Sequence, residues 1–202
     1  VGPEGYEATY LRTFEALERV LPSLPQLRQL IYTGSCSVYG DAGGGWVDES
    51  TSTAPRDRHG QILLESERRL LACGSDARRV AILRLGAIYG PGRELAGRFR
   101  RLAGTTRAGD GAGYTSWIHR DDVVGALAWA VEQGVEGIVN LVDDEPLRVR
   151  DLFERVLTAA GLEPVRWDPA LQPEQPLANR RVANQHLKEL GYRLRHPRLL
   201  LA

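Results

Sequence analysis

Lysine, serine and glycine are the residues whose spacing reveals a nucleotide-phosphate site or a hydrolase nucleophile. The single lysine, Lys188, follows Leu187, so the Gly-Lys pair of a P-loop is absent. No serine has glycine both two residues before it and two residues after it, which excludes the nucleophile elbow of α/β-hydrolases. Gly109, Gly111 and Gly113 are spaced as G-x-G-x-G among small residues. This pattern indicates a mobile loop and not the G-x-G-x-x-G phosphate turn.

Cysteine and histidine are too few and too widely spaced for a disulfide framework or a zinc site. Two cysteines, Cys36 and Cys73, cannot make a framework of disulfides, and Cys36 is interpreted as a small buried thiol. The histidines never fall at metal-ligand spacing with one another or with a cysteine: they are His59, His119, His186 and His196. We therefore expect reduced thiols and no metal.

The composition is that of an ordinary globular protein. The chain has 202 residues, 43% of them hydrophobic and 26% charged, and its 26 basic residues balance its 26 acidic ones. No block of five like charges occurs, and no apolar run approaches the ~18 residues that a membrane span needs. These features predict a cytoplasmic protein that acts on small molecules, with no nucleic-acid or membrane partner.

Predicted helices and strands alternate along most of the chain. Apolar residues at a spacing of three and four indicate helices, and runs of bulky residues indicate strands. The predicted helices cover residues 5–21, 61–73, 95–102, 121–133, 149–160 and 183–190, and the predicted strands cover residues 27–33, 80–85 and 137–142. This alternation is typical of an α/β fold with a parallel sheet and helices on its faces.

The last part of the chain has few strand signals. Its final two predicted helices are separated by a proline-rich linker that contains Pro164, Pro169, Pro173 and Pro176. We expect residues 1–145 to form the sheet domain and residues 146–202 to form a small C-terminal lobe. The lobe is predicted to pack at the carboxyl ends of the strands, where open α/β folds bind their ligands.

Five motifs occur in a specific order along the chain: Tyr32–Gly40 (YTGSCSVYG), Trp46–Ser50 (WVDES), Leu83–Arg93 (LRLGAIYGPGR), Trp117–Val124 (WIHRDDVV) and Asn140–Pro146 (NLVDDEP). Together they resemble the extended short-chain dehydrogenase/reductases, the NAD-dependent epimerase/dehydratase family, over almost the whole chain. The resemblance implies a Rossmann-like parallel sheet that binds NAD or NADP. It also implies that the C-terminal lobe binds the substrate, a nucleotide-sugar or another polar molecule.

The resemblance further implies roles for individual residues. Ser35 stands four residues before Tyr39 and matches the active-site serine of the family, so it is the first catalytic candidate. The cofactor-binding candidates follow the first two strands: Thr33, Gly34, Ser35, Leu85, Gly86, Ala87 and Ile88. The substrate-binding candidates are Tyr39, Tyr89, Arg93 and Arg181. The segment 180–184 that contains Arg181 either docks an anionic substrate or forms a basic patch at a helix N-terminus.

The tyrosine–lysine pair of the family is missing. In the family a Tyr-x-x-x-Lys pair on the helix after the serine moves the proton, and this spacing puts both side chains on one helix face. Here His59 stands in place of the tyrosine and Leu63 in place of the lysine, while Glu67 matches a family position. His59 is the second catalytic candidate, because an imidazole titrates near neutral pH. The alternatives are a surface or capping role for this histidine, and replacement of the pair by Tyr89 and Arg93.

Two functions remain open from the sequence. One is epimerase, dehydratase or reductase chemistry by an atypical member of the family, and the other is a non-catalytic NAD(P)-binding sensor or scaffold. The motif that contains His119, Asp121 and Asp122 is interpreted as structural, with an aspartate cap on a helix and a polar tether.

The sequence is expected to be N-terminally truncated. In family members three strands and a glycine-rich turn precede the region that resembles this chain, and residues 1–3 are interpreted as the end of a fourth strand. One edge of the central sheet is therefore expected to be exposed. The resemblance also implies a homodimer through the helices that flank the sheet.

Overall fold

The computed structural model describes residues 2–173 and 178–201. Its helices are α1 (Pro3–Thr9), α2 (Leu11–Val20), α3 (Arg58–Ala72), α4 (Leu95–Phe99), α5 (Arg120–Gln133), α6 (Val149–Ala159) and α7 (Gln185–Glu189). Its strands are β1 (Gln29–Ser35), β2 (Trp46–Val47), β3 (Arg79–Leu85), β4 (Ala87–Tyr89), β5 (Thr106–Ala108), β6 (Tyr114–Thr115), β7 (Trp117–His119), β8 (Gly137–Leu141), β9 (Leu147–Arg148), β10 (Arg166–Asp168) and β11 (Arg181–Val182). Among the described residues, no helix is both long and apolar enough to span a bilayer.

The centre of the fold is a parallel sheet in the order β1-β3-β8. Ser35 pairs with Leu85, and Leu85 pairs with Leu141, so the three strands end at one edge of the sheet. This arrangement confirms the predicted α/β fold with a Rossmann-like parallel sheet. Within the described ranges, no strand pairs with the outer edge of β1, which is the open flank that the sequence predicts.

Alternating residues of β3 pack against opposite layers, as the two-residue period of a strand requires. Ala81, Leu83 and Leu85 face a core formed with β8, α5 and the C-terminal segment. Val80 and Ile82 face a second core formed with α2 and α3. The sheet is therefore covered on both faces, and this explains why nearly every residue of β3 is buried.

Helix boundaries differ from the predicted ones where local contacts end a helix early or begin it early. The first predicted helix is divided at Tyr10 into α1 and α2. Helix α3 begins at Arg58, before the predicted start at residue 61, because the Asp57 carboxylate caps it by accepting a hydrogen bond from Gly60 N at 2.8 Å. Pro3 begins α1, so residues 2–3 do not end a strand, and Val1 lies outside the described residues.

The C-terminal part contains three short strands that the sequence does not predict. β9 pairs with β6, β10 with β5, and β11 with β2. The predicted mobile loop at residues 104–113 therefore contains a strand, β5, which is held by β10. The predicted linker is described as far as Pro173, and its residues 174–177, including Pro176, lie outside the described residues.

Candidate functional site

Ser35 is the last residue of β1 and begins a 3-10 turn, Cys36–Tyr39. Its side-chain oxygen accepts a hydrogen bond from the backbone N–H of Ser37 at 3.1 Å. This bond fixes the Ser35 side chain as an acceptor within the turn, and it leaves the hydroxyl hydrogen for a ligand. The local fold therefore presents a hydrogen-bond donor at the carboxyl edge of the sheet.

One cavity of about 310 Å³ opens at the ends of β1 and β3, and we call it the Arg180 cavity. It is lined by Ser35, Cys36, Ser37, Leu85, Gly86, Ala87, Tyr114, Thr115, Ser116, Ala178 and Arg180. Gly86 closes it tightly, because a Cβ at this position would lie 2.9 Å from the carbonyl oxygen of Ser116. Four of the predicted cofactor-binding residues, Ser35, Leu85, Gly86 and Ala87, lie here, whereas Ile88 packs against the core.

A second cavity of about 500 Å³ lies between β1, α1 and α3, and we call it the His59 cavity. It is lined by Tyr6, Tyr10, Thr33, Gly34, Ser35, Ser37, Asp57, His59, Gly60 and Leu63. Ser35 and Ser37 line both cavities, so the two cavities are neighbours that meet at the end of β1. The two catalytic candidates, Ser35 and His59, therefore lie in one cavity.

The helix side of the His59 cavity combines aromatic and apolar side chains with the Asp57 carboxylate. The His59 ring is half-buried and meets the Tyr6 ring edge-to-face, with 4.5 Å between the ring centroids. Leu63, one turn further along α3, is buried. Among the described lining residues there is no lysine or arginine. The structure thus brings His59, Leu63 and Ser35 together, in the places where the sequence aligns them with the family site.

A buried polar network lies beneath the end of β1. The Arg84 guanidinium donates to both carboxylate oxygens of Glu67, the shortest contact being 2.8 Å, and the two side chains are 3% and 1% exposed. Burial raises the pKa of Glu67, and the Arg84 guanidinium opposes that rise. The Tyr39 ring lies under Arg84, and the Tyr39 hydroxyl donates to Asn140 Oδ1 at 2.7 Å.

Tyr39 supports the site from below and lines neither cavity. Its ring is buried, and burial raises its pKa to about 12. Tyr89 is also buried, and its hydroxyl accepts a hydrogen bond from the backbone N–H of Leu200 at 3.0 Å. Arg93 lies exposed in the following turn. The structure therefore brings neither Tyr89 nor Arg93 to Ser35.

Two consecutive arginines take different positions at the outer wall. Arg180 enters the Arg180 cavity, where its Nη1 donates to the carbonyl oxygen of Gly40 at 2.7 Å. Arg181 lies between two rings, with its guanidinium carbon 5.0 Å from the Trp46 centroid and 5.1 Å from the Tyr114 centroid. The predicted substrate residue Arg181 thus lines neither cavity and packs behind Tyr114, and its neighbour Arg180 is the arginine that reaches the Arg180 cavity.

The Cys36 thiol is a structural group, as the sequence predicts. It is buried and donates to the carbonyl oxygen of Arg84 at 3.2 Å. Burial raises its pKa to about 12, so the thiolate is not available at neutral pH.

The motif around His119 joins α5 to the C-terminal segment. His119 caps α5 by accepting a hydrogen bond from Asp121 N at 3.1 Å, so the predicted aspartate cap is wrong and the cap is a histidine. The Asp122 carboxylate accepts from the backbone N–H groups of Arg195 and His196, which is the predicted polar tether. The ligand atoms of His119, Asp121 and His196 lie within 4.8 Å of one another, and the helix cap uses the Nδ1 lone pair of His119.

Several lining residues were not predicted from the sequence. Tyr6 lies in α1, Tyr10 lies at the break between α1 and α2, and Tyr114, Thr115 and Ser116 directly precede the Trp117–Val124 motif. The helical periodicity around Tyr6 and Tyr10 gives no sign of a site. The position of residues 114–116 next to a recognised motif is the one signal that could have suggested them.

Comparison with known proteins decides the family. The sequence model described as the NAD dependent epimerase/dehydratase family matches residues 4–141. The chain belongs to this family. Protein YeeZ of Escherichia coli K12 is 32% identical over 175 residues, which cover 85% of this chain and 60% of YeeZ. The chain therefore spans about 60% of the length of this relative.

Two solved structures show the shared fold. Human epimerase family protein SDR39U1, solved with NADPH, superposes with a TM-score of 0.79 at 20% identity, over 96% of this chain and 72% of that one. MoeE5, solved with UDP-glucuronic acid and NAD, superposes with a TM-score of 0.70 at 24% identity, over 88% of this chain and 64% of that one.

Proposed function

We propose that this chain forms the nicotinamide-facing and substrate-facing part of an NAD(P)-dependent protein of the epimerase/dehydratase family. The observation that carries the proposal is the position of Ser35, whose side chain lies where the His59 cavity meets the Arg180 cavity. The nicotinamide ring would occupy the His59 cavity, and the polar substrate would occupy the Arg180 cavity. The NADPH in the SDR39U1 structure and the NAD in the MoeE5 structure support this assignment.

The residues of the His59 cavity fit the nicotinamide end of such a cofactor. Tyr6, Tyr10 and Leu63 offer aromatic and apolar surface to a flat ring, and Thr33 and Ser35 offer hydroxyl groups to its amide or ribose. The sequence contains no G-x-G-x-x-G turn, so this chain offers no such turn to the pyrophosphate. A bound nicotinamide supplies hydride transfer at this position.

Ser35 and His59 are the residues that act on the proton. The Ser35 hydroxyl donates to the reacting oxygen of the substrate, because its oxygen already accepts from Ser37 N. His59 accepts or returns the proton on the cofactor side of the same serine. Leu85, Gly86 and Ala87 form the opposite wall, where Gly86 packs against the backbone of Ser116 with no room for a side chain. Tyr39 and the Glu67–Arg84 pair keep the end of β1 in place.

The alternative is a non-catalytic cofactor-binding sensor, and one observation favours it. Leu63 gives the His59 cavity an apolar wall at the position where the family has a lysine. Without an ammonium group, no described cation of this cavity lowers the pKa of a proton donor or contacts the ribose. The cytoplasmic location and the homodimer stay predictions under both functions, as does the division into residues 1–145 and 146–202.

Saturation-transfer NMR with NADPH and with NADH tests cofactor binding by this chain. We expect the nicotinamide protons to receive more saturation than the adenine protons, because the chain offers a ring cavity and no glycine-rich turn. Thr33→Trp fills the cavity and is expected to abolish the transfer. Val131→Trp, on the exposed side of α5, is the matched control and is expected to retain it. Transfer confined to adenine, or unchanged by Thr33→Trp, rejects the proposal.

Catalysis is tested by cofactor absorbance with UDP-glucose, UDP-glucuronic acid and smaller hydroxy acids as substrates. Turnover with any of them supports the enzyme. The His59→Ala variant is then expected to lose it, whereas an unchanged kcat removes His59 from the mechanism. Cofactor binding with no absorbance change for any substrate supports the sensor.

A further inference from the structure

The Arg180 cavity contains one fixed charge. Among its described lining residues, Arg180 is the only side chain that is ionised near neutral pH, because burial raises the pKa of the Cys36 thiol. The remaining polar groups are hydroxyls and backbone atoms. A lone guanidinium in a small, partly enclosed cavity attracts an anion, since the low local dielectric strengthens the interaction.

Arg180 has an unused donor inside the protein. Its Nη1 donates to the carbonyl oxygen of Gly40, whereas its Nε–H is buried and has no acceptor among the described residues. The nearby Asp41 carboxylate accepts hydrogen bonds from Gly43 N and Asn179 N. Within the described ranges, Arg180 makes no direct ion pair with a carboxylate; Asp41 pairs with Arg56 and acts on Arg180 only from beyond ion-pair distance.

The neighbouring Arg181 is already satisfied. Its Nε donates to the carbonyl oxygen of Gly44 at 2.8 Å, and its guanidinium is packed between the rings of Trp46 and Tyr114. This sandwich holds Tyr114, which lines the Arg180 cavity. Arg181 therefore holds Tyr114 in the cavity wall, and Arg180 is the arginine that can contact a ligand in the cavity.

The occupant must also be compact. The cavity measures about 310 Å³, at the lower end of the ~300–1,000 Å³ range of ligand sites. The close approach of Gly86 to the Ser116 carbonyl leaves no space on that side. A carboxylate or phosphate next to a short carbon skeleton would place its charge at Arg180 and an oxygen at Ser35.

We propose that Arg180 binds the oxyanion group of a compact substrate, a hydroxy or keto acid or a small phosphate ester, whose reacting oxygen lies at Ser35. The position of the reacting oxygen rests on the proposed function, and the anion site does not. The proposal replaces the nucleotide-sugar expected from the resemblance with a smaller substrate, and it names Arg180, not Arg181, as the specificity-determining residue.

The test titrates the chain, labelled with ¹⁵N-arginine and without cofactor, and follows the arginine Nε–H signals by NMR. The probes are 3-hydroxybutyrate and its neutral methyl ester, and glycerol 3-phosphate and neutral glycerol. At least one anion is expected to bind about tenfold more tightly than its neutral partner, the minimum for a hydrogen bond to a charged group. The Arg180 signal should move, and the Arg181 signal should stay.

Variants identify the residue. Arg180→Leu is expected to abolish the preference for the anion, and Arg180→Lys to weaken it, because an ammonium lacks the planar set of donors with which a guanidinium binds an oxyanion. Arg101→Leu, at an exposed position outside the cavity, is the control and is expected to bind as the wild type does. If Arg180→Leu does not fold, the comparison of 3-hydroxybutyrate with its methyl ester in the wild type decides whether the cavity prefers an anion.

Three results overturn the inference: equal binding of charged and neutral probes, an unchanged preference in folded Arg180→Leu, or tighter binding of UDP-glucose than of both compact anions. The two proposals fail separately. Anion binding without NADPH binding rejects the proposed function and retains the role of Arg180. NADPH binding without anion binding rejects the role of Arg180 and retains the proposed function.

Discussion

The Glu67–Arg84 ion pair offers the sharpest test of how the site is supported. Arg84→Met leaves the Glu67 carboxylate buried without its partner, and Glu67→Met leaves the guanidinium in the same state. Both side chains are almost completely buried, so water cannot replace the lost contact. Breaking a buried pair of this kind costs ~3–5 kcal/mol of unfolding free energy. That is a large share of the ~5–15 kcal/mol that stabilises a typical domain.

The double variant Glu67→Met/Arg84→Met should recover most of the loss. Two methionines fill a similar volume and leave no buried charge, and such replacements range from neutral to stabilising. We therefore expect the two single losses to be far from additive, with a coupling energy of at least about 3 kcal/mol. Urea unfolding followed by tryptophan fluorescence and by circular dichroism measures all four proteins. If the loss in the double variant equals the sum of the two single losses, burial of an unpaired charge is not the cause of the single losses.

The same pair has a consequence for Ser35. A Cβ on Gly34 would lie 2.8 Å from Glu67 Oε1, so the carboxylate packs directly against the backbone that precedes the serine. The Arg84 side chain covers the Tyr39 ring on the other side of the turn. A variant that loses the pair while still folded is therefore expected to lose cofactor and substrate binding together.

Three further predictions concern single positions. Burial raises the pKa of Asp143 to about 8, so the unfolded chain releases this proton near pH 4 and the folded chain retains it; the unfolding free energy should fall between about pH 4 and 8. The urea midpoint of the wild type should fall as the pH rises across this range, and the midpoint of Asp143→Asn should lack the contribution of this group. The same pH dependence in both proteins would contradict the prediction. Gly86→Ala should destabilise the chain and reduce the affinity for compact anions, measured by thermal unfolding and by NMR titration, because its Cβ meets the Ser116 carbonyl. Asp122→Ala should increase hydrogen exchange at the amides of Arg195 and His196, which lose their acceptor, and unchanged exchange would remove the tether.

The central fold was predictable because its signals are local. The run 80–85 is rich in β-branched and aliphatic residues, and a strand buried on both faces needs this composition. Ser35 ends β1, and Gly86 and Ala87 come directly after β3, so their place at one edge of the sheet follows from the parallel arrangement alone. His59 and Leu63 are four residues apart on one helix, which places them on one face without knowledge of the fold.

The rest of the site depends on contacts between distant parts of the chain. Arg180 and Arg181 are adjacent and identical in type, and only the pairing of β11 with β2 decides which of them meets Trp46. The sequence motif predicts that Tyr39 contacts the substrate. In the structure its hydroxyl instead donates to Asn140, which is 101 residues further along the chain and lies beneath the site. The three short strands of the C-terminal part have two or three residues each, too few for a periodic pattern.

Leu63 stands where the resemblance expects a lysine, and Arg180 has no direct ion pair within the described part of the chain. In the family, the lysine lowers the pKa of the tyrosine four residues before it, and the sequence aligns His59 with that tyrosine. An ammonium at position 63 would then be a buried charge without a carboxylate, which is unfavourable, whereas Leu63 contributes apolar surface to the ring cavity. Among the described residues that line the two cavities, Arg180 is the only lysine or arginine, and it is the residue that we propose binds the anion. Under this proposal, a positive charge that assists the proton donor in the family would here select the substrate.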